Sequence, residues 1–382
     1  MQDMSRYSLG FENCVRIGDD IWFSESNYNG LYRYSLKEKT VQRIADFPNE
    51  DMIQQSLYIK VRRYGSCLIF VPCTAKFVSI YNIETNSFSQ VEIPHLTFKN
   101  GYEPDYYEGI VYRDMLYVIG SGYPLIIKIC LKDYKVRIVY NIFDDQVELK
   151  GKYFGTQVAV SGNLLYIPCC YLNAVLVFDM DLDEGIIVKV GDEENRYMRI
   201  VQDNEDFYLV TMDTNHIVRW NERTGTSSVI KTVFRQGYCD AWIHISETSI
   251  WMISNISGEV YKIDKTDYSM RYIDLKREMD VECSTLYQEG VCLLDHDTRE
   301  WYYLDGQGNV TDLKTKILEP RTEEEVWKSF NQTSCINYTE NMKTPISYYI
   351  YRMLAGEKDE RKESMDKIPV GERVWHGLTT EV

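Results

Sequence analysis

Residues 21–34 read IWFSESNYNGLYRY, which is an apolar run, a turn and a second run ending in an aromatic residue. Ile21 opens the first run and Tyr34 closes the second, 13 positions later. The same interval recurs along the chain in seven anchor pairs: Ile21 and Tyr34, Leu68 and Tyr81, Leu116 and Ile129, Leu165 and Phe178, Phe207 and Trp220, Ile250 and Ile263, and Val291 and Leu304. A constant interval between apolar runs predicts two adjacent antiparallel strands, joined by an equally tight connection in every copy.

Further strand-like segments lie on both sides of each pair of runs. The residue after the second anchor is Ser35, Asn82, Cys130, Asp179, Asn221, Asp264 or Asp305. Asn and Asp dominate this position, and their side chains start turns by bonding to nearby backbone. A third run follows the turn, as at 88–93, and another precedes the pair, as at 57–63. The sequence therefore predicts four strands in each repeating unit.

Four strands in a unit of about 40–50 residues are typical of a β-propeller blade. The early runs are apolar on consecutive residues, as expected of strands that neighbouring blades cover on both faces. A helical solenoid is excluded because the repeats lack a 3.6-residue periodicity. We predict an all-β protein with a seven-bladed β-propeller at 8–314, followed by a short C-terminal helical appendage and tail at 315–382.

The repeats resemble the broad propeller class that includes kelch, NHL and quinoprotein-like proteins. They depart from the individual signatures, because they have no recurrent Gly-Gly doublet, as in kelch, and no Gly-His and Trp-Asp pair, as in WD40 repeats. The resemblance covers architecture only and carries no function with it.

The composition excludes some classes of partner. The formal net charge is −16, and no Lys/Arg cluster supplies the basic footprint that nucleic acid requires. The same charge disfavours anionic membranes. Residues 1–6 contain no apolar segment, and no apolar run approaches the ~18 residues of a membrane span. We therefore expect a cytoplasmic protein with no nucleic-acid or membrane partner.

The ten cysteines include the adjacent Cys169 and Cys170, but no C-x-x-C spacing. They are interpreted as small buried hydrophobes in a reducing compartment, with a disulfide framework as the alternative.

The connections between blades contain much of the polar sequence and should meet on one face, at the mouth of the central channel. Tyr and Arg are preferred anchors of recognition surfaces. The predicted ligand-binding residues, for a peptide or a sugar, are Tyr107, Tyr153, Arg196, Tyr197, Arg235 and Tyr238. The alternative is that these segments are solvated loops whose tyrosines pack on the blades.

No catalytic motif is present. The five histidines form no H-E-x-x-H or other metal spacing, and His216 and His244 are interpreted as structural residues of strands. Acidic pairs such as Asp144 and Asp145 could bind Ca²⁺, but they lack an EF-hand spacing. We expect no catalytic residue, no cofactor and no metal. The alternative is a propeller enzyme, a lyase or hydrolase that uses a mouth carboxylate on a sugar or peptide.

The C-terminal region contains its own short repeat. Residues 322–325 form a capping-box pattern, and the segments 345–354 and 369–378 match each other at an offset of 24 residues. Each copy has apolar residues along one side of a short helix, which must dock to persist. The predicted partner-binding residues are Ile350, Tyr351, Leu354, Val374, Trp375 and Leu378. The helices dock either on the propeller itself or in the groove of a protein partner.

Together these features predict a non-catalytic ligand- or protein-binding propeller that acts as a cytosolic scaffold or accessory protein. The expected partners are a protein or small polar ligand at the mouth, and a protein for the tail. An oligomeric structural protein is a further alternative.

Overall fold

The computed structural model describes residues 9–52, 54, 56–93, 106–121, 125–141, 154–170, 172–212, 216–232, 241–254, 258–275, 279–296, 298, 300–321 and 325. The chain divides into two compact units, Gly10–Ile317 and a second unit of Met1–Leu9 with Leu318–Val382. Within the described ranges, no helix has the length and apolar character needed to cross a membrane.

The described strands of the first unit form seven sheets, which we number as blades 1 to 7. Blades 1 to 4 contain β1 (Cys14–Ile17), β2 (Asp20–Ser24), β3 (Leu31–Ser35) and β4 (Thr40–Ala45); β5 (Tyr58–Tyr64), β6 (Cys67–Pro72), β7 (Phe77–Asn82) and β8 (Ser87–Glu92); β9 (Tyr106–Tyr112), β10 (Met115–Gly120), β11 (Leu125–Cys130) and β12 (Val136–Asn141); and β13 (Ala159–Ser161), β14 (Leu164–Pro168), β15 (Ala174–Asp179) and β16 (Glu184–Lys189). Blades 5 to 7 contain β17 (Tyr197–Asp203), β18 (Asp206–Thr211), β19 (His216–Asn221) and β20 (Thr226–Lys231); β21 (Ala241–Ile245), β22 (Ser249–Ser254), β23 (Val260–Asp264) and β24 (Met270–Ile273); and β25 (Val281–Tyr287), β26 (Gly290–Asp295), β27 (Glu300–Leu304) and β28 (Val310–Lys316).

The sheets confirm the predicted all-β fold and its seven blades. Each sheet takes four consecutive strands in chain order, so every blade is complete in itself. The first strands of neighbouring blades contact one another, as β1 does β5 and β17 does β21, and these strands surround the centre of the ring. The circle of blades closes between blades 7 and 1, where the aromatic ring centroids of Phe11 and Trp301 lie 5.4 Å apart.

The constant 13-residue interval corresponds to an exact strand register. All seven anchor pairs predicted from the sequence are direct cross-strand partners between the second and third strands of their blades. Register is this strongly specified because a slip of one residue would move every side chain to the other face of the sheet.

The predicted turn signal after the second anchor is also present. Backbone N–H groups two to four residues further on donate to the side-chain oxygen at this position, in the turns that follow Asn82, Asp179, Asn221, Asp264 and Asp305. These side chains replace backbone acceptors at the start of the turn, which is the physical basis of the Asn/Asp preference.

The hydrophobic core lies between the blades. Leu68, Ile69, Phe70 and Val71 of β6 are all fully buried, because each face of the sheet packs on a different neighbour. Blades 2 and 3 approach so closely that a Cβ on Gly109 would overlap the Val71 side chain. Glycine is therefore favoured where these two sheets meet.

The C-terminal predictions concern residues that the structure does not describe. The helix predicted from residue 322 and both copies of the short repeat lie, apart from Glu325, outside the described residues. The appendage and its six partner-binding residues therefore stay predictions. No disulfide joins any two of the eight cysteines within the described ranges.

Candidate axial site

Charged and aromatic side chains from different blades meet at the centre of the ring. The Lys60 Nζ atom of β5 lies 5.6 Å from the centroid of the Trp242 ring of β21. The Arg199 Cζ atom of β17 lies 4.1 Å from the same centroid. Three blades on one side and two on the other separate blades 2 and 6, so the contact between Lys60 and Trp242 crosses the ring axis. We call Lys60, Glu108, Arg199, Trp242 and His244 the axial cluster.

β-bulges position three of these side chains. The pairing of the first strand with the second shifts at the same place in four blades, between Tyr58 and Lys60, Tyr106 and Glu108, Tyr197 and Arg199, and Val281 and Cys283. A bulge inserts one extra residue and re-aims the side chains that follow it. In blades 2, 3 and 5 the residue after the bulge is charged and belongs to the axial cluster.

Glu108 is the carboxylate that holds the cations of blade 2. Its Oε2 atom lies 3.9 Å from Lys60 Nζ, and its Oε1 atom pairs with Arg62. The Glu108 side chain is only 6% exposed and the Lys60 side chain 12%. Burial lowers the pKa of Lys60, and the nearby Arg62 and Arg199 lower it further, while Glu108 opposes them. Among the described residues, Lys60 Nζ makes no hydrogen bond.

His244 is a neutral member of the axial cluster. Its Nε2 atom lies 2.8 Å from the Ser284 Oγ atom of blade 7. Burial lowers the pKa of His244 to about 4, and the positive charges of Arg199 and Lys60 contribute to the decrease. The imidazole is therefore uncharged at pH 7 and lies in a positive electrostatic potential.

Side chains also tie the blades together around the axis. Asn13 Oδ1 of blade 1 accepts a hydrogen bond of 3.0 Å from the Val61 backbone N–H of blade 2. Arg62 Nε then donates to Gly109 O of blade 3 at 2.7 Å. Gln157 Nε2, just before β13, donates at 3.1 Å to the backbone oxygen of Ile243 in blade 6. These bonds satisfy backbone groups on the inner strand edges and link the strands that carry the axial cluster.

The axial cluster is rich in donors and poor in nucleophiles. Trp242 Nε1 is buried and has no hydrogen-bond partner in the described part of the chain. Burial raises the pKa of the nearby Cys283 thiol, so this sulfur stays protonated and weakly nucleophilic. No group of three or more His, Cys, Asp or Glu side chains that could hold a metal occurs among the described residues.

Three of the residues predicted for the channel mouth are described. Tyr107 is the half-buried extra residue of the β9 bulge. Arg196 Nη1 donates to the backbone oxygens of Glu193 at 2.7 Å and Asn195 at 2.8 Å.

The third residue, Tyr197, is completely buried. Its hydroxyl donates to the backbone oxygen of Val190 at 2.7 Å, and burial raises its pKa to about 12. Tyr153, Arg235 and Tyr238 lie outside the described residues, so the structure leaves ligand binding by all six a prediction.

The sequence analysis missed the axial cluster, although a signal for it exists. Three of the four bulged strands begin with a buried tyrosine, one further residue and then a charged residue, in the segments Tyr58-Ile59-Lys60, Tyr106-Tyr107-Glu108 and Tyr197-Met198-Arg199. A charged residue at a fixed place in three inner strands could have been noticed as a second repeat. His244 was interpreted as structural, and its contact with Ser284 shows that it links two blades.

No family model and no curated protein matches this chain. Among solved structures, the chain is similar to virginiamycin B lyase from Staphylococcus aureus, with 12% identity and a TM-score of 0.59 over 76% of this chain and 92% of that chain. It is similar to a streptogramin B lyase, with 13% identity and a TM-score of 0.58 over 77% and 91%. A structure from a study of two prolyl endopeptidases has 11% identity and a TM-score of 0.56 over 83% and 51%. These likenesses show the propeller fold alone. They confirm the broad propeller class expected from the repeats.

Proposed function

We propose that this protein is a non-catalytic binding propeller that takes its ligand at the centre of the ring. One observation carries the proposal: Lys60 and Arg199, from different blades, converge on the Trp242 ring across the axis. Buried cations cost free energy, and replacing them by apolar side chains is often neutral or stabilising. A propeller that needed only a packed centre would be served at least as well by apolar residues there.

The bulges support the same proposal. They recur at one position in the inner strands and direct Lys60, Glu108 and Arg199 towards a common region. Bulges are enriched next to functional sites, where they re-aim a side chain. The Trp242 ring adds a flat face and an N–H that has no hydrogen-bond partner among the described residues, which suit recognition of a small polar ligand.

A comparison of two tryptophan variants tests this proposal. Neutral sugars, short peptides and small anions are screened by thermal shift against the wild type, Trp242→Phe and the control Trp22→Phe. Trp22 is a matched control because it is buried in blade 1 and has its own guanidinium neighbour, Arg33, at 5.7 Å.

We expect compounds that raise the Tm of the wild type and of Trp22→Phe but not that of Trp242→Phe. The proposal fails if no compound stabilises the wild type, or if every stabilising compound acts equally on Trp242→Phe.

A hydrolase is the second candidate, and the contact between His244 and Ser284 favours it. A serine hydroxyl within 2.8 Å of a neutral imidazole is the arrangement of a nucleophile and its general base. Two of the similar solved structures are named as lyases, so this architecture can carry an enzyme. The test is hydrolysis of a p-nitrophenyl ester by the wild type, Ser284→Ala and the control Ser249→Ala. Activity that is lost in Ser284→Ala but retained in Ser249→Ala would support a hydrolase and refute the non-catalytic role.

The proposal extends to a cytosolic scaffold whose C-terminal tail binds a protein partner. Deleting residues 356–382 tests this part of it. Unchanged retention of partners in a pull-down, with an unchanged Tm, would exclude the tail as a binding segment.

A further inference from the structure

We propose that Cys14 and Cys292 form a disulfide under oxidising conditions and thereby close the circle of blades covalently. The proposal concerns the junction between blades 7 and 1 and is independent of the ligand proposed for the axial cluster. Each of these blades consists of its own four consecutive strands, so no described strand is shared across the junction. A disulfide would add a covalent bond exactly where the two ends of the repeat array meet.

The strand register of blade 1 directs Cys14 into this junction. Paired residues lie on the same face of a sheet, and successive residues alternate between the faces. Trp22 packs towards blade 2, so Phe23 and its direct partner Cys14 face the other way, towards blade 7. Phe23 stacks on Phe11, which lies beside Trp301 of blade 7, and this contact confirms the direction.

The register of blade 7 directs two thiols back towards blade 1. Ser284 of β25 faces blade 6, because its hydroxyl lies 2.8 Å from the His244 ring. The residues on either side of it, Cys283 and Thr285, therefore face blade 1. Cys292 is the direct partner of Thr285 and shares its face. The junction thus receives one thiol from blade 1 and two from blade 7.

Cys14 and Cys292 also lie at similar heights in their sheets. The first anchors Ile21 and Val291 hold corresponding positions in the two blades. Cys292 follows its anchor directly, and Cys14 pairs with Phe23, two residues beyond its anchor. The difference of one residue corresponds to about 3.3 Å along a strand.

The packing of the other blades shows which strands meet at such a junction. The first strand of a blade contacts both the first and the second strand of the blade before it, as β9 does β5 and β6, and β17 does β13 and β14. By the same packing we expect β1 to lie against β25 and β26. These two strands carry Cys283 and Cys292.

Solvent exposure distinguishes between the two thiols of blade 7. Cys283 is only 4% exposed, whereas Cys14 and Cys292 are half-buried. Thr285 and Tyr287, on the same face as Cys292, are exposed, and Tyr287 is 47% exposed. A small reagent can therefore approach Cys292 more readily than Cys283.

The acidity of the two thiols fits a lasting link. Burial raises the pKa of Cys14 to about 11, and the nearby Cys292 contributes to the increase. Burial also raises the pKa of Cys292 to about 11. Such thiols react slowly at pH 7, and because they are poor leaving groups, the disulfide that they form resists reduction.

The oxidant in the proposed step is a small disulfide such as oxidised glutathione. The thiolate of one cysteine attacks a glutathione sulfur, forms a mixed disulfide and releases one molecule of glutathione. The second cysteine then displaces the remaining glutathione and forms the bond between the blades. The two cysteines lose two electrons and two protons, and oxidised glutathione takes them up to give two molecules of glutathione.

The test maps disulfides in the folded full-length chain after incubation with oxidised glutathione at pH 8. Remaining thiols are alkylated, the chain is digested without reduction, and linked peptides are identified by mass spectrometry. The variants are Cys14→Ser, Cys292→Ser and the control Cys130→Ser.

Cys130 is a matched control because it is also half-buried and faces a neighbouring blade. Its direct partner Met115 packs into the core between blades 3 and 4, to which Cys169 of blade 4 also belongs. Cys130 pairs one residue before the first anchor of its blade, whereas Cys169 lies four residues after its own anchor. The resulting difference in height is about 17 Å, which no disulfide can span.

We expect a linked peptide with Cys14 and Cys292 in the wild type and in Cys130→Ser, and none in the other two variants. Oxidation should raise the Tm of the wild type by about 5–10 °C, because the link closes a loop that contains nearly the whole propeller. The Tm of Cys14→Ser should not change on oxidation. The wild-type peptide map decides the pairing by itself if a serine variant folds poorly.

Three results would overturn the proposal. The first is the absence of any link between Cys14 and Cys292 in the oxidised wild type. The second is a link from Cys14 to Cys283 instead, since the pairing would then not follow the exposed face. The third is the expected link with an unchanged Tm, which would show that joining the two blades does not stabilise the ring.

Discussion

Replacing Glu108 by glutamine isolates the contribution of its negative charge to the axial cluster. The carboxylate lies 3.9 Å from Lys60, pairs with Arg62 and accepts the Gly109 N–H at 3.0 Å. Glutamine keeps an oxygen that can accept from Gly109, so the main change is the loss of charge. The two cations then lose the carboxylate that lies between them.

The magnitude follows from burial. Removing one partner of a buried ion pair costs about 3–5 kcal/mol. Arg62 is 27% exposed and is partly screened by solvent, so we expect the low end of this range, about 3 kcal/mol. A urea m value near 3 kcal/mol/M, towards the upper end for globular proteins, converts this loss into a midpoint decrease of about 1 M.

Urea unfolding followed by tryptophan fluorescence measures the effect, with two further variants for comparison. The double variant with Lys60→Met and Glu108→Gln no longer carries the Lys60 charge that the single variant leaves without its carboxylate. Its free energy of unfolding should be about 1–2 kcal/mol higher than that of Glu108→Gln. Glu205→Gln breaks the exposed pair with Arg223 and should change stability by less than about 1 kcal/mol. A Glu108→Gln midpoint equal to that of the wild type, or a double variant no more stable than the single one, would refute the reasoning.

Three other predictions follow from the described contacts. Lowering the pH from 6.5 to 4 should reduce the free energy of unfolding of the wild type by about 3 kcal/mol more than that of His244→Gln, as measured by denaturant unfolding. The folded-state pKa of His244 is lowered to about 4, so only the unfolded chain takes up the proton in this window. Parallel pH profiles of the two proteins would contradict this prediction. Gly109→Ala should lower the free energy of unfolding by about 1–3 kcal/mol, since the new Cβ would overlap Val71, and an unchanged Tm would show that the blades can separate freely. Tyr117→Phe should cost about 1 kcal/mol by removing the 2.6 Å hydrogen bond to Met180 O between blades 3 and 4, and urea titration with an equal or higher midpoint would count against it.

The sequence predicted the blades well because their strand pairs are local and repetitive. The anchor of one strand and its partner in the next lie 13 residues apart in every copy, so spacing alone established the register of pairs such as Leu116 and Ile129. The turns after Asn82 and its equivalents depend on a single side chain and the backbone beside it. Both features can be recognised without knowing where distant parts of the chain lie.

The axial cluster could not be found in the same way. The contact between Lys60 and Trp242 depends on the curvature that brings blade 6 opposite blade 2, and no local pattern encodes that distance. The bulges add to the difficulty, since one extra residue changes the direction of a side chain without changing the composition of the strand. The sequence signal for the axial cluster is the tyrosine that lies two residues before each of its three charged residues on bulged strands. This signal can be interpreted only when the positions of the inner strands are already known.

The completeness of each blade has a consequence for how this propeller can vary. Because every sheet consists of consecutive strands, the ring is joined between its last and first blades by side-chain contacts such as that of Phe11 with Trp301. A duplication or deletion in the gene that spans one whole repeat would therefore add or remove a blade without dividing any sheet. Circular permutants cut between any two blades would likewise keep every sheet intact, which makes the chain a favourable template for recombining blades.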